Sequence, residues 1–183
     1  MPRFYLPPNE CNDSTLFLAG REAHHALHVL RVQPRQQVTV LDGVGHEFIC
    51  ELKGSDRDKI KLAAIEKRTI PRPPYEITLL QALPRGKLFD SIVQKATELG
   101  VFRIVPLLSE RVVPQLEAKR AASKTGKWEL AAIEAIKQCG SAWLPRIEEA
   151  LTPAQFLARR LPSPPAAVEW AVLWICWRAL LMP

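Results

Sequence analysis

Residues Tyr75 to Leu108 constrain the fold more than any other stretch of this chain. YEITLLQA is a β-rich run long enough for a buried strand. Pro84-Arg85-Gly86 breaks it. The residues that follow have the helical period. Leu88, Phe89, Ile92, Val93, Ala96 and Leu99 fall on one side, and Lys87, Ser91, Gln94 and Glu98 fall opposite. Gly100 stands where a helix C-terminus wants a residue tolerant of the left-handed conformation. VFRIVPLL then reads as a second buried strand. A strand, helix and strand of this length make a βαβ unit, which predicts two parallel strands.

The flanks add a second kind of structure. Residues 1 to 70 read as a small β-rich domain. RFYL is a short strand, and Gly20 to Arg31 is a helix with Ala23, Ala26, Leu27 and Leu30 on one face, ended by Pro34. QVTVLDG and HEFICELKG alternate and meet through Gly43-Val44-Gly45, a hairpin signal. KIKLAAIEK is a further strand, so a compact barrel is expected. Prolines 71, 73 and 74 cannot join a helix or a central strand. Residues 71–74 therefore form an extended linker before a second domain, 75–183. There, Ser109 to Gly126 is polar and basic and reads as a loop with a frayed turn. A helix is predicted from Lys127 to Cys139, closed by Gly140, and a short strand near Leu144 to Ile147. Thr152-Pro153 is an N-cap followed by proline at the first helical position.

Composition narrows the function. The net charge of +6 and the pI of about 9.4 favour a polyanionic partner such as nucleic acid. The four cysteines, Cys11, Cys50, Cys139 and Cys176, are scattered without a C-x-x-C pair, so they read as reduced thiols of a cytoplasmic protein. MPRFYLPPNE lacks the apolar core of a signal peptide, and Trp170 to Trp177 is too short to span a bilayer. No membrane association is expected.

The string KLFDSIVQKATELGVFRIVPLLSERVV resembles the family of small-subunit ribosomal RNA methyltransferases that methylate uridine at N3. RFYL, HHALHVLRV, KWELAAIEAIKQC and LPRIEEALTPAQFL carry the same resemblance, which covers residues 1 to 158. It implies an α/β protein with an N-terminal PUA-like RNA-binding barrel and a SPOUT-class, knotted methyltransferase domain. It further implies S-adenosylmethionine as methyl donor, small-subunit ribosomal RNA as partner, a homodimer and no metal. From residue 159 the match stops. A glycine-rich Gly-Pro-Glu-Gly-Gly loop and a later Leu-Gly…Arg-Ile-Leu-Arg-like stretch, which by resemblance form the knot and most of the cofactor pocket, do not occur. The SPOUT domain is thus expected to be incomplete, the chain truncated or frame-shifted, and its cofactor-binding residues are left unassigned. The expected family function is methyl transfer to uridine N3, with this chain inactive. The alternatives are an RNA-binding remnant that has lost the cofactor pocket, and a fragment with no function of its own.

Candidate residues follow from both lines. His24 and His28 stand four apart on the first helix, as helical zinc ligands often do, but no third ligand accompanies them and no metal site is assigned. A solvated face or phosphate contact remains for these histidines, and the resemblance favours His25 and Arg31. Arg3, His25, Arg31 and Lys87 are the RNA-contact candidates; arginine forks suit phosphate oxygens. Lys95 and Glu98, three residues apart, read either as a helix-surface ion pair or, by resemblance, as neighbours of the target uridine. Uridine N3 carries a proton that must leave, and a base or a nearby cation serves that step. Arg111 in SERVV and Gln138 in IKQC join them as catalytic candidates on the resemblance alone. Pro84-Arg85-Gly86-Lys87 is no P-loop, so nucleotide hydrolysis is not expected. Trp170, Trp174 and Trp177 would form an aromatic stripe on a helix; an out-of-frame product or a buried strand are the other readings.

Overall fold

The computed structural model describes residues 1–11, 14–56, 59–84, 88–108, 114–158 and 170–175, of which 114–124 and 170–175 are described by their backbone alone. It has two compact units. The first is Met1–Arg72 with Ile136–Leu144; the second is Pro73–Ala135 with the described residues of Pro145–Pro183.

In the first unit, β1 (Arg3–Tyr5), β3 (Gln37–Leu41), β4 (His46–Asp56), β5 (Lys59–Thr69) and β2 (Thr15–Ala19) lie side by side in that order. β1 runs parallel to β3, and the other neighbours are antiparallel. The hairpin expected at Gly43-Val44-Gly45 joins β3 and β4. Register shifts in the β4–β5 ladder at Ile49/Cys50 and Leu52/Gly54 raise the local twist, which lets a sheet of long strands curl. Phe4, Leu16, Leu18, Val38, Val40 and Leu62 fill its core with no exposed surface. Between β2 and β3 the chain forms α1 (Gly20–His24), which widens into a π-helical turn over His25–Val29. The predicted helix thus stops before Pro34 is reached, because Arg31 turns left-handed at φ 50°.

In the second unit, β6 (Glu76–Ala82), α2 (Leu88–Glu98) and β7 (Arg103–Leu107) make the expected βαβ unit, with β6 and β7 parallel. The sheet continues on both sides, in the order β8 (Arg146–Ile147), β7, β6, β9 (Trp170–Ile175), all parallel. α2 buries Phe89, Val93, Ala96 and Thr97. The Thr97 hydroxyl donates to the Val93 carbonyl at 2.8 Å, which is how a polar residue sits in that seam. The apolar face is narrower than the periodicity predicts: Leu88 and Leu99, at its two ends, are exposed.

One expectation is corrected here, and one open reading is decided. The basic stretch before Lys127 is no loop from Pro114 on, since α3 runs from Pro114 to Cys139 straight through Gly126. A mid-helix glycine costs about 1 kcal/mol, and burial outweighs it. Trp128 and Ala132 are buried, and the Trp128 ring lies 4.5 Å from that of Phe89. Lys127 also pairs with Asp90. In the tail, Trp170 to Ile175 is not helical. Its backbone pairs with β6 from Glu76 opposite Trp170 to Gln81 opposite Ile175. Trp177 lies outside the described residues. α4 (Pro153–Ala158) opens as predicted: the Thr152 hydroxyl accepts from the Gln155 amide at 3.2 Å, and the Gln155 side chain accepts from the Thr152 amide at 2.9 Å.

Candidate functional site

Ala23 and Ala26 anchor the helical segment of the first unit in the core. That places His24 and His28 in solvent, their rings 4.7 Å apart. His25 is half-buried, edge-on to Phe4 at 6.2 Å, so it is not on the same solvated face. The π turn closes with the Leu30 amide donating to the His25 carbonyl at 2.9 Å, and Arg31 follows in a conformation that costs a non-glycine residue about 1–2 kcal/mol. Gln33 holds the Arg31 carbonyl at 2.9 Å. Arg31 is exposed. Arg31 is thus an exposed cation held in a strained backbone conformation.

Arg3 sits elsewhere. Its Nη1 donates to the carbonyls of Lys137 at 3.2 Å and Gln138 at 3.3 Å, where the last carbonyls of α3 lack helical partners. Gly140, at φ 80°, makes room, because a Cβ there would lie 2.9 Å from Arg3 Nη2. Lys137 is buried and paired with Glu22 at 2.8 Å, and the other Glu22 oxygen accepts from the Tyr5 amide at 3.2 Å. Gln138, one residue on, is exposed. Lys87 and Arg111 lie outside the described residues.

Lys95 and Glu98 form the helix-surface pair at 2.7 Å, with Lys95 exposed. The hydrogen bond from Lys95 holds the Glu98 carboxyl below its usual range, helped by Gln94 at 3.1 Å. Glu98 is therefore a committed carboxylate and Lys95 a positioned cation. Nearby in sequence, Arg103 pairs with Glu148 at 3.3 Å, and both are largely buried. Its guanidinium lies 6.0 Å from the Phe156 ring.

One constellation escaped sequence reasoning. Asp42, buried at the base of the first hairpin, accepts from the amides of Val44 at 2.9 Å and His46 at 3.0 Å with one oxygen. Its other oxygen meets His46 Nδ1 at 2.6 Å. Gly45 is covered by Trp143, whose ring would lie 2.3 Å from a Cβ at that position. Arg72 stacks over the same ring at 4.8 Å. The signal was present: an aspartate before glycine in a tight turn binds the amide two residues on.

In open α/β sheets, ligands sit beyond the carboxyl ends of the strands. Here that edge carries Leu83, Leu107 and Leu151, buried, with backbone bonds from Leu83 to Leu107 and from Leu108 to Leu151. The segments that follow β6, β7 and β9 at this edge include residues outside the described set. Among the described residues this edge is apolar, and no cofactor site is assigned to it. The sequence after β9 also lacks the glycine-rich stretch expected there. Among the described residues, no three His, Cys, Asp or Glu side chains converge to hold a metal, and no helix is long and apolar enough to cross a membrane.

Comparison with known proteins identifies the chain. Residues 18–65 match the RNA methyltransferase PUA domain, and residues 71–164 match the RNA methyltransferase domain. Ribosomal RNA small subunit methyltransferase E of Bacillus subtilis is 32% identical over 146 residues, 79% of this chain and 57% of that protein. The protein of the same name from Aquifex aeolicus is 35% identical over 70% of this chain and 55% of its own. A solved ribosomal RNA small subunit methyltransferase E from Neisseria gonorrhoeae, bound to S-adenosylmethionine, superposes with a TM-score of 0.77 at 32% identity, covering 89% of this chain and 66% of that one. A Legionella pneumophila methyltransferase, also solved with that cofactor, gives 0.82 at 25% identity over 94% and 78%. The chain thus spans little more than half the length of the curated relatives it matches. With that domain matched over half of its residues, behind a PUA-like barrel, this chain belongs to the RNA methyltransferase domain family and carries part of a SPOUT-class α/β fold.

Proposed function

We propose that the protein serves S-adenosylmethionine-dependent methylation of N3 of a uridine in small-subunit ribosomal RNA. The observation that carries this reading is the pair of matches, PUA-like barrel and methyltransferase domain, on one chain that is 32% identical to a named small-subunit enzyme. In this reading the barrel holds RNA through His25 and Arg31, and Lys87 is a further RNA-contact residue by resemblance. Arg3 contributes chiefly by holding Lys137 and Gln138. Lys95 is the cation that steadies charge developing on the uracil ring as N3 loses its proton, and Glu98 orients it. Arg111 and Gln138 complete the set by resemblance. The cofactor supplies an activated methyl group, so no metal is called for. The protein works as a cytoplasmic homodimer.

A second reading is RNA binding without methyl transfer, carried by the match of residues 18–65 to the PUA domain. One assay separates the two. Small-subunit ribosomal RNA is incubated with the protein and methyl-labelled S-adenosylmethionine. The 183-residue polypeptide alone should bind the RNA and transfer no label. Fusing a family C-terminal segment in frame should restore transfer to uridine N3, read as a reverse-transcription stop. Label on any other atom, or none in the fusion, overturns the methylation reading. Failure to bind the RNA overturns both.

A further inference from the structure

We propose that the first unit carries a ribonucleotide-binding groove beside His46, separate from the Arg31 segment. It takes one nucleotide of single-stranded RNA and reads its 2′-hydroxyl. This deepens the RNA-binding reading above and rests on it.

The groove encloses about 250 Å³ and is lined by Phe48, Ala64, Ile65, Ser14 and Lys67 among others. Phe48 is its floor, and two polar groups border that one ring. The Lys67 ammonium lies 5.2 Å from the Phe48 centroid, and the His46 ring lies 6.4 Å from it. Register agrees, since Phe48 faces Lys67 and His46 faces Thr69 across the same two strands. Side chains two apart on a strand share a face, so His46, Phe48 and Lys67 present one surface.

The chemistry of His46 is set by Asp42. A buried carboxylate 2.6 Å from Nδ1 demands the proton on that nitrogen. Both oxygens of Asp42 are already engaged, so the ring cannot turn over without leaving the carboxylate short of a partner. In the neutral ring with that proton in place, Nε2 is an acceptor on a partly exposed side chain. A ribose 2′-hydroxyl is a donor suited to it, and a deoxyribose has none. Lys67 supplies the cation for the adjoining phosphate, and the apolar lining with the exposed Ile65 accommodates a base. Glu66 also lines the groove, but Arg68 holds its carboxylate through bonds of 2.7 and 2.9 Å, which offsets its charge toward an anion.

The test uses the full chain, a short labelled single-stranded RNA of mixed sequence, and the same strand with 2′-deoxy sugars. The wild-type protein should prefer the RNA by roughly three- to tenfold, the worth of one hydrogen bond. His46→Gln keeps an amide donor for Asp42, and should abolish that preference by weakening RNA alone. The Nε2 nitrogen of isotope-labelled His46 should shift on adding RNA and stay put on adding the deoxy strand. That measurement needs no variant, so it decides the matter if His46→Gln fails to fold. A preference retained in the variant, an equal loss for both strands, or an unmoved Nε2 overturns the groove. If the wild-type protein binds neither strand, the RNA-binding reading fails with it; if RNA binds and His46 is indifferent, the groove alone fails.

Discussion

At the scale of the residue, the barrel spends stability where it displays charge. Arg31 is held left-handed at φ 50°, and Arg35 follows at 67°. Arg31→Gly should relieve that strain, offset in part by glycine's freedom in the unfolded chain, for a net gain of about 0.5–1 kcal/mol. The same variant should bind RNA more weakly and lower the salt slope by about one phosphate contact. Urea melts with binding titrations across salt check both, and an unchanged slope removes Arg31 from the RNA contacts. The arginines themselves were legible, as was a helix through the histidines. That Arg3 would be drawn to the end of α3 was not, because its partners are backbone carbonyls of residues 137 and 138. A side chain's type announces its charge, and only the folded chain says which acceptor is nearest.

At the scale of the element, what was legible followed local period. β6, α2 and β7 could be read because one stretch alternates between a strand run and a 3.6-residue stripe. The thread of α3 through Gly126 could not, since its polar, glycine-containing start has no stripe of its own. Spacing left β9 open between a helix stripe and a buried strand for the complementary reason. Trp170 and Trp174 have helical spacing, yet the backbone follows the free edge of β6. Pairing with a distant strand overrides spacing between neighbours. The weight that α3 carries predicts a large effect at one side chain. Trp128 is 2% exposed and packs on Phe89, so Trp128→Ala should cost about 3–5 kcal/mol in denaturant unfolding. A loss under about 1 kcal/mol would mean the ring does not anchor the helix.

At the scale of the whole molecule, the barrel core holds two thiols that bear on global stability. Burial raises Cys11 to about 11, with the Asp42 charge adding to it, and raises Cys50 to about 12, with Cys11 adding to it. An unfolded chain releases these protons from about pH 9. The folded chain keeps them, so this stabilisation is whole below pH 9 and is lost as pH climbs toward 11 and 12. Urea midpoints should therefore fall between neutral pH and about pH 10.5, and less so in Cys50→Ala. An identical alkaline decline in that variant would assign it to other groups. The barrel's strands were readable from alternation. The return of Ile136–Leu144 to the first unit was hidden, since nothing local tells a chain to come back.

That return sets a timetable for synthesis. The ribosome makes residues 1–72 first, but the pieces that finish the barrel are Trp143 against Gly45, the Leu144 amide on the Gly43 carbonyl and Lys137 on Glu22. Residues 73–135 must be made in between. At about 5–20 residues per second the nascent barrel waits several seconds, with Glu22 uncompensated and the back of its hairpin bare. During that interval neighbouring chains on one message carry the same missing piece, so one chain's Ile136–Leu144 can close another's barrel. The order of manufacture thus favours exchange between sister chains, a hazard that no inspection of the finished fold by itself reveals.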